Sequence, residues 1–173
     1  MFKKVSVSEL KINPFTKIGD EWMLLSAGGK DKLNTMTASW GAAGVIWGVN
    51  ALTCYVRPQR YTNEFMSREG YFTACFFGEG NSRAALELCG SKSGRDCDKI
   101  AQSGLTAAFY DVSETETAPY FEEAETVFIC RKLHAQRIDP AGFCDPEIDK
   151  NYPAGDYHFM YIGEIVDCLV RNG

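Results

Sequence analysis

The chain has 173 residues, 45% of them hydrophobic and 24% charged, which suits one domain with a packed core and not a disordered chain. A formal net charge of −5 argues against nucleic acid or an anionic membrane as the main partner. Any anion bound here must be held by a local group of basic side chains and backbone N–H groups.

The N-terminal stretch MFKKVSVSELKINPF carries no apolar segment of the signal-peptide kind. No apolar run approaches the ~18 residues of a membrane helix. The seven cysteines (Cys54, Cys75, Cys89, Cys97, Cys130, Cys144 and Cys168) are odd in number and never in C-x-x-C spacing. Several lie inside apolar runs, as in YFTACFF and VFICRKL, so buried free thiols in a reducing cytoplasm are expected. The two histidines, His134 and His158, have no partners at zinc-ligand spacing.

The first strong pattern is WMLLSAGGKDKLNTMTASW, residues 22–40, two strand-like runs around a glycine-containing hairpin loop. GAAGVIWGVN then reads as a loop with three glycines, and ALTCYVR as a strand stopped by Pro58. YTNEFMSREG predicts one short helix, with Thr62 as N-cap and Gly70 near its end. YFTACFF predicts a central strand. Two short helices follow, one from Ser82 to Gly90 and one from Asp96 to Gly104, separated by the polar turn SKSGR. LTAAFYD, TVFICRKLHAQRI and YHFMYIGEIVDCLV predict strands, the last two long enough to require a bend or bulge. The sum is about six or seven strands and three short helices, without the strand–helix alternation of a doubly wound sheet. A mainly β chain with short helices outside a small antiparallel barrel is the predicted architecture, as one domain over residues 1–173.

FFGEGNSR offers a G-x-G after a strand, but Arg83 stands where the third glycine of a dinucleotide fingerprint belongs, and no βαβ series follows. CGSKSGRD fits neither a P-loop nor a nucleophile elbow. What remains is a set of anion-binding and ring-binding features. NTMTASW offers hydroxyls, an amide and an indole on one strand. YVRPQRYT places Arg57 and Arg60 beside the N–H groups of a helix start. GSKSGRDCDK places Lys92, Arg95 and Lys99 around a second. Each also has an ordinary reading: a half-exposed strand, a solvated turn, a capped helix start with Lys92 and Arg95 in solvent, and a barrel histidine at His158. Together they point to a ligand with a phosphate at one end and a flat hydrogen-bonding ring at the other, the shape of FMN.

The order NTMTASW, YVRPQRYT, SGRDCDK, GDYHFMYIGEI resembles the flavin reductase-like family, over roughly Asn13 to Val166. That resemblance implies a six-stranded antiparallel Greek-key barrel, the FMN-binding split barrel, in a homodimer with FMN near the subunit interface. It implies that Asn34, Met36, Thr37, Ala38, Ser39 and Trp40 line the flavin and its ribityl phosphate. Arg57, Pro58, Arg60, Tyr61 and Thr62 would continue the cradle, and Lys99 would add a cation. His158 matches a histidine near the isoalloxazine and nicotinamide of related reductases, though Tyr157 intervenes where many relatives have Gly-Asp-His. The Ser-x-x-Pro-Pro pattern of many reductases is replaced by GAAGVIWGVN. The implied activity is flavin reduction with NAD(P)H as donor. The alternatives are a flavoredoxin-like electron carrier reduced by a protein partner, and a flavin-storage or redox-sensing module. The loop AGFCDPEIDKNYPAGDYH, residues 141–158, reads equally as a lid over the site and as a surface excursion.

Overall fold

The computed structural model describes residues 1–78 and 82–172. Its elements, in chain order, are β1 (Phe2–Val5), α1 (Pro14–Gly19), β2 (Met23–Gly28), β3 (Leu33–Ala38), β4 (Gly41–Ile46), β5 (Val49–Val56), α2 (Tyr61–Arg68), β6 (Tyr71–Phe76), α3 (Arg83–Ser91), α4 (Lys99–Ser103), β7 (Ala107–Asp111), β8 (Thr117–Phe121), β9 (Thr126–Arg137) and β10 (Phe159–Arg171). Short 3₁₀ turns cover Val7–Glu9, Pro140–Gly142 and Pro146–Asn151. Among the described residues, no helix is long and apolar enough to cross a membrane.

One antiparallel sheet runs β3-β2-β6-β9-β10-β5-β4, and β1 pairs with the far stretch of β10 beyond the part held by β5. β7 and β8 form a separate ribbon. Side chains alternate between two buried faces. Met23, Leu25 and Ala27 of β2, Phe72, Ala74 and Phe76 of β6, and Phe128 and Cys130 of β9 fill the inner core. Leu24, Cys75, Val127 and Ile129 point the other way, into a second core roofed by Ala85, Leu86 and Cys89 of α3 and by Ala118 and Phe121 of β8. Burial on both faces explains why these strands read as unbroken apolar runs instead of alternating ones. Five of the seven thiols, Cys54, Cys75, Cys89, Cys130 and Cys168, are buried and unpaired, and Cys144 is exposed.

The long pair β9–β10 shifts register between Ile162 and Gly163 and again between Ile165 and Asp167, which supplies the bend its length requires. Gly163 is needed there because a Cβ would run into the ring of Phe72.

Several local expectations change. GAAGVIWGVN is a hairpin, β4 to β5, turning at Trp47 and Gly48, both with positive φ (52° and 76°). That is the two-residue turn in which both central residues take the left-handed region, and it matches strand twist. α1 was masked in the sequence by its shortness: Asn13 caps it, accepting from the Phe15 N–H at 3.0 Å, and Pro14 opens it. The N-cap of α2 is Arg60, which leaves Thr62 buried inside the first turn. α4 begins at Lys99, three residues later than Asp96, because Asp98 supplies the cap to the Ala101 N–H at 3.0 Å. β1 and the ribbon strand β8, which contains Pro119, are additions to the predicted set. The G-x-G turn rejected as a dinucleotide site falls in part on residues 79–81, outside the described residues.

The ends of the main sheet order are β3 and β4, and the two residues joining them are Ser39 and Trp40. The split in the barrel wall is therefore spanned by the last two residues of NTMTASW.

Candidate functional site

Two adjoining clefts open at this split. The first, about 230 Å³, is lined by Met36, Thr37, Ala38, Ser39, Trp40, Tyr55, Arg57, Arg60 and His158. The second, about 200 Å³, shares Met36, Arg57 and Arg60 with it and adds Gln59, Tyr61, Thr62, Ser91, Lys92, Ser93 and Lys99.

β3 forms one wall. As the edge strand it pairs with β2 alone, so one row of its N–H and C=O groups is left for other partners. Its hydroxyls are largely spent elsewhere. Thr37 Oγ1 donates to the Leu86 carbonyl of α3. Thr35 Oγ1 donates to the Leu25 carbonyl at 3.1 Å and accepts from Ser26 Oγ at 2.8 Å. The small polar residues of NTMTASW thus tie the edge strand down, and its residues Met36 to Ala38, with Ser39 and Trp40 after them, line the first cleft. The aromatic end is built by Trp40, Tyr55 and His158; the Trp40 and His158 rings lie 5.1 Å apart. Tyr55 follows from the period of a strand, being two residues before Arg57 and on the same face.

The second cleft collects positive charge between two helix ends. No side chain caps the first turn of α2; the Asn63 N–H bonds the Arg60 carbonyl at 2.9 Å, and the Tyr61 and Thr62 N–H groups are the helix-start donors left. Arg60 Nη1 donates to the Gly90 carbonyl, and Lys99 Nζ donates to the Cys89 and Lys92 carbonyls at 3.1 and 3.2 Å. The C-terminal end of α3, with its partial negative charge, therefore holds both cations in place. Burial lowers the Lys99 pKa, and the neighbouring Arg60 guanidinium lowers it further against a favourable contribution from Cys89. Lys92 also lines this cleft, although its sequence setting reads as solvated.

Asn34 and Pro58 line neither cleft. Asn34 is buried beneath them, where its Nδ2 donates to Thr62 Oγ1 at 2.7 Å and ties β3 to α2. Arg95 is turned away, paired with Glu64 and stacked over Tyr61. Arg57 lines both clefts, but its terminal nitrogens are engaged by the 139–158 segment, which lies in the connection from β9 to β10 and contains the 141–158 loop: Nη1 by Asp156 Oδ2, and Nη2 by the Asn151 carbonyl at 2.9 Å. Gln59 Nε2 joins Asp156 at 2.6 Å. These hydrogen bonds hold the Asp156 carboxyl below its ordinary pKa, Gln59 contributing most and Arg57 next.

The segment is thus docked on the site. It brings in Tyr152, buried, whose hydroxyl lies 2.9 Å from His158 Nδ1 and whose ring sits under Arg57 at 5.2 Å. Burial pushes the His158 pKa down to about 4, and the Arg57 charge acts in the same direction. At neutral pH this imidazole is uncharged. Tyr152 left no signal in the sequence beyond its place in a loop of lid length.

The donor set fits a phosphorylated flavin: cations and helix N–H groups at one end, an edge strand and aromatic rings at the other, in clefts that share a wall.

A family model described as the flavin reductase like domain matches residues 16–173. No curated protein matches the chain. Among solved structures, the FMN-binding domain of a flavin reductase-like enzyme from Shewanella baltica is similar, with 17% identity, TM-score 0.67, and coverage of 98% of this chain and 77% of that one. Flavoredoxin from Methanosarcina acetivorans is similar at 23% identity and TM-score 0.66, covering 95% and 76%. The NADH:FAD oxidoreductase of Streptomyces globisporus is similar at 15% identity and TM-score 0.60, covering 87% and 75%. At these identities the likeness is one of fold, the split barrel described for such proteins.

Proposed function

The chain belongs to the flavin reductase-like family, and from that premise we propose that it is an FMN-dependent oxidoreductase that accepts hydride from NAD(P)H. The observation that carries this reading is the pair of clefts sharing Met36, Arg57 and Arg60, one cationic and one aromatic. The phosphate would sit between the first turn of α2, Arg60, Lys92 and Lys99. The ring would lie along the free edge of β3 from Met36 to Ser39, against Trp40 and Tyr55. When bound, the flavin supplies hydride acceptance at N5 and onward electron transfer; the chain supplies orientation and charge.

The residues at the ring end hold and position; they do not shuttle protons. His158 is uncharged and poorly basic, so it offers hydrogen bonding instead of acid catalysis. Trp40 and Tyr55 supply flat apolar surface at the aromatic end, against which a ring would pack.

The first test is an absorption spectrum after incubation with excess FMN and desalting. A bound flavin spectrum supports the reading; a colourless protein ends it. Anaerobic rapid mixing with NADH and NADPH then tests the donor, with fast bleaching of the flavin expected for one of them. A second reading, an electron carrier reduced by a protein, is favoured by the net charge of −5 and by GAAGVIWGVN in place of Ser-x-x-Pro-Pro. It predicts bound FMN that neither nucleotide bleaches.

A further inference from the structure

We infer that Tyr152 is a positioning residue that fixes His158 as an Nε2–H donor aimed into the first cleft, so that the 139–158 segment completes the ring end of the site. This rests on the flavin reading above for the identity of the acceptor, but not for the arrangement itself.

The geometry allows two arrangements of the Tyr152–His158 hydrogen bond. Either the phenol donates to a bare Nδ1, leaving the proton on Nε2, or Nδ1–H donates to the phenol oxygen. Tyr152 is buried, and among the described residues its hydroxyl has no partner besides His158. In the second arrangement its O–H proton would be orphaned in the interior, at the cost of an unmade hydrogen bond. In the first, both groups are satisfied. A phenol is also the better donor and an imidazole nitrogen the better acceptor. His158 Nε2 makes no hydrogen bond among the described residues, and it is not sealed in the protein, since the one buried unpartnered side-chain atom there is Asp156 Oδ1. His158 lines the first cleft, so Nε2 is the nitrogen left for a ligand.

The pair is held from several directions. The Arg57 guanidinium covers the Tyr152 ring, and Phe143 stacks on it at 6.2 Å with the planes 19° apart. Trp40 packs on His158 with the ring planes tilted by 45°, and Tyr55 meets it edge-on at 6.5 Å. Arg57 and Gln59 clamp Asp156, two residues before His158. A neutral N–H donor held this rigidly stabilises negative charge that grows on a bound ring without giving up a proton. In this chain, therefore, Arg57 chiefly secures the segment, while Arg60 and Lys99 face the phosphate end.

The test uses the purified full chain labelled with ¹⁵N-histidine, as wild type and Tyr152→Phe. Long-range ¹H–¹⁵N correlation spectra near neutral pH are expected to show His158 as the Nε2–H tautomer in the wild type and as a mixture in Tyr152→Phe. His158→Gln identifies the resonance. With FMN bound, Tyr152→Phe is expected to keep the wild-type dissociation constant within about threefold, to shift the flavin midpoint potential negative, and to lower kcat more than it raises KM. A wild-type Nδ1–H tautomer overturns the inference. So does a Tyr152→Phe protein with unchanged tautomer and potential. If no FMN binds to either protein, the flavin reading fails while the tautomer measurement still decides the Tyr152 arrangement.

Discussion

Arg57, Arg60 and Lys99 look interchangeable in the sequence, but their contacts separate them. Arg60 has one nitrogen on the Gly90 carbonyl and lines both clefts, so its remaining donors can reach an anion. Arg60→Ala removes a charge-assisted bond of about 1.5–3 kcal/mol and should weaken FMN binding roughly 10- to 150-fold in a fluorescence titration. Unchanged affinity would take Arg60 out of the site. His158 gives a second prediction, set by burial. It is faced by Tyr152, Tyr55, Trp40, Arg57, Asp156 and Arg60. Its pKa is lowered to about 4 in the folded protein, against about 6.5 when unfolded. Between those values the unfolded chain binds the extra proton, so stability is complete above the unfolded pKa and is lost as pH falls toward about 4. Urea titrations at pH 7 and pH 4.5 should show this acid-side loss, and His158→Gln should reduce it. Equal pH dependence in the two proteins would mean that His158 is not the group responsible.

The elements that make the site are held by a few buried polar contacts, and β3 shows this best. Asn34 sits under the clefts and joins β3 to α2 through Thr62, where the turn containing Gly94 crosses so closely that a Cβ there would strike Asn34 Oδ1. Asn34→Ala leaves the Thr62 hydroxyl without its donor in the interior and should cost about 1–3 kcal/mol in chemical denaturation. Gly94→Ala should act in the same direction by displacing Asn34. A wild-type midpoint for both would mean that the junction is unimportant. This junction also shows what was legible in the sequence. Strand runs such as YFTACFF, the helix opening after Pro58 and the four motifs in order are local patterns, and the barrel and both clefts contain them. The role of Asn34 was not legible, because a buried amide and a ligand-facing amide look alike until the partner 28 residues away is placed. The β4–β5 hairpin was hidden for another reason. Gly41, Gly44 and Gly48 give the composition of a loop, while the turn that makes the hairpin depends on backbone angles at Trp47 and Gly48. Tyr152 was hidden because its partner is fixed by the docking of a whole loop.

At the scale of the molecule, one face remains unaccounted for by a single chain. Phe15 is 85% exposed, Val45 73%, Trp47 63% and Trp40 45%, a concentration of large apolar side chains around α1 and the β4–β5 hairpin. An apolar groove of about 470 Å³ runs between Pro14, Phe15, Ile18, Ala42 and Ala43, and it shares Ser39, Trp40 and Tyr55 with the first cleft. β4 is also the edge strand at this end of the sheet, with a row of unpaired backbone groups. A second copy of the chain covering this face would bury the apolar side chains and close the aromatic end of the ring cleft in one step. We therefore propose a homodimer with the clefts beside the interface. Val45→Glu combined with Trp47→Glu changes only exposed side chains, so the fold should persist by circular dichroism. Sedimentation should then show a monomer where the wild type shows a dimer, and FMN should dissociate faster from the variant. A wild type that sediments as a monomer would remove the dimer. A variant that becomes monomeric yet releases FMN at the wild-type rate would keep the dimer but detach it from the site, since losing a cover over Trp40 and Tyr55 would expose the ring proposed to lie against them.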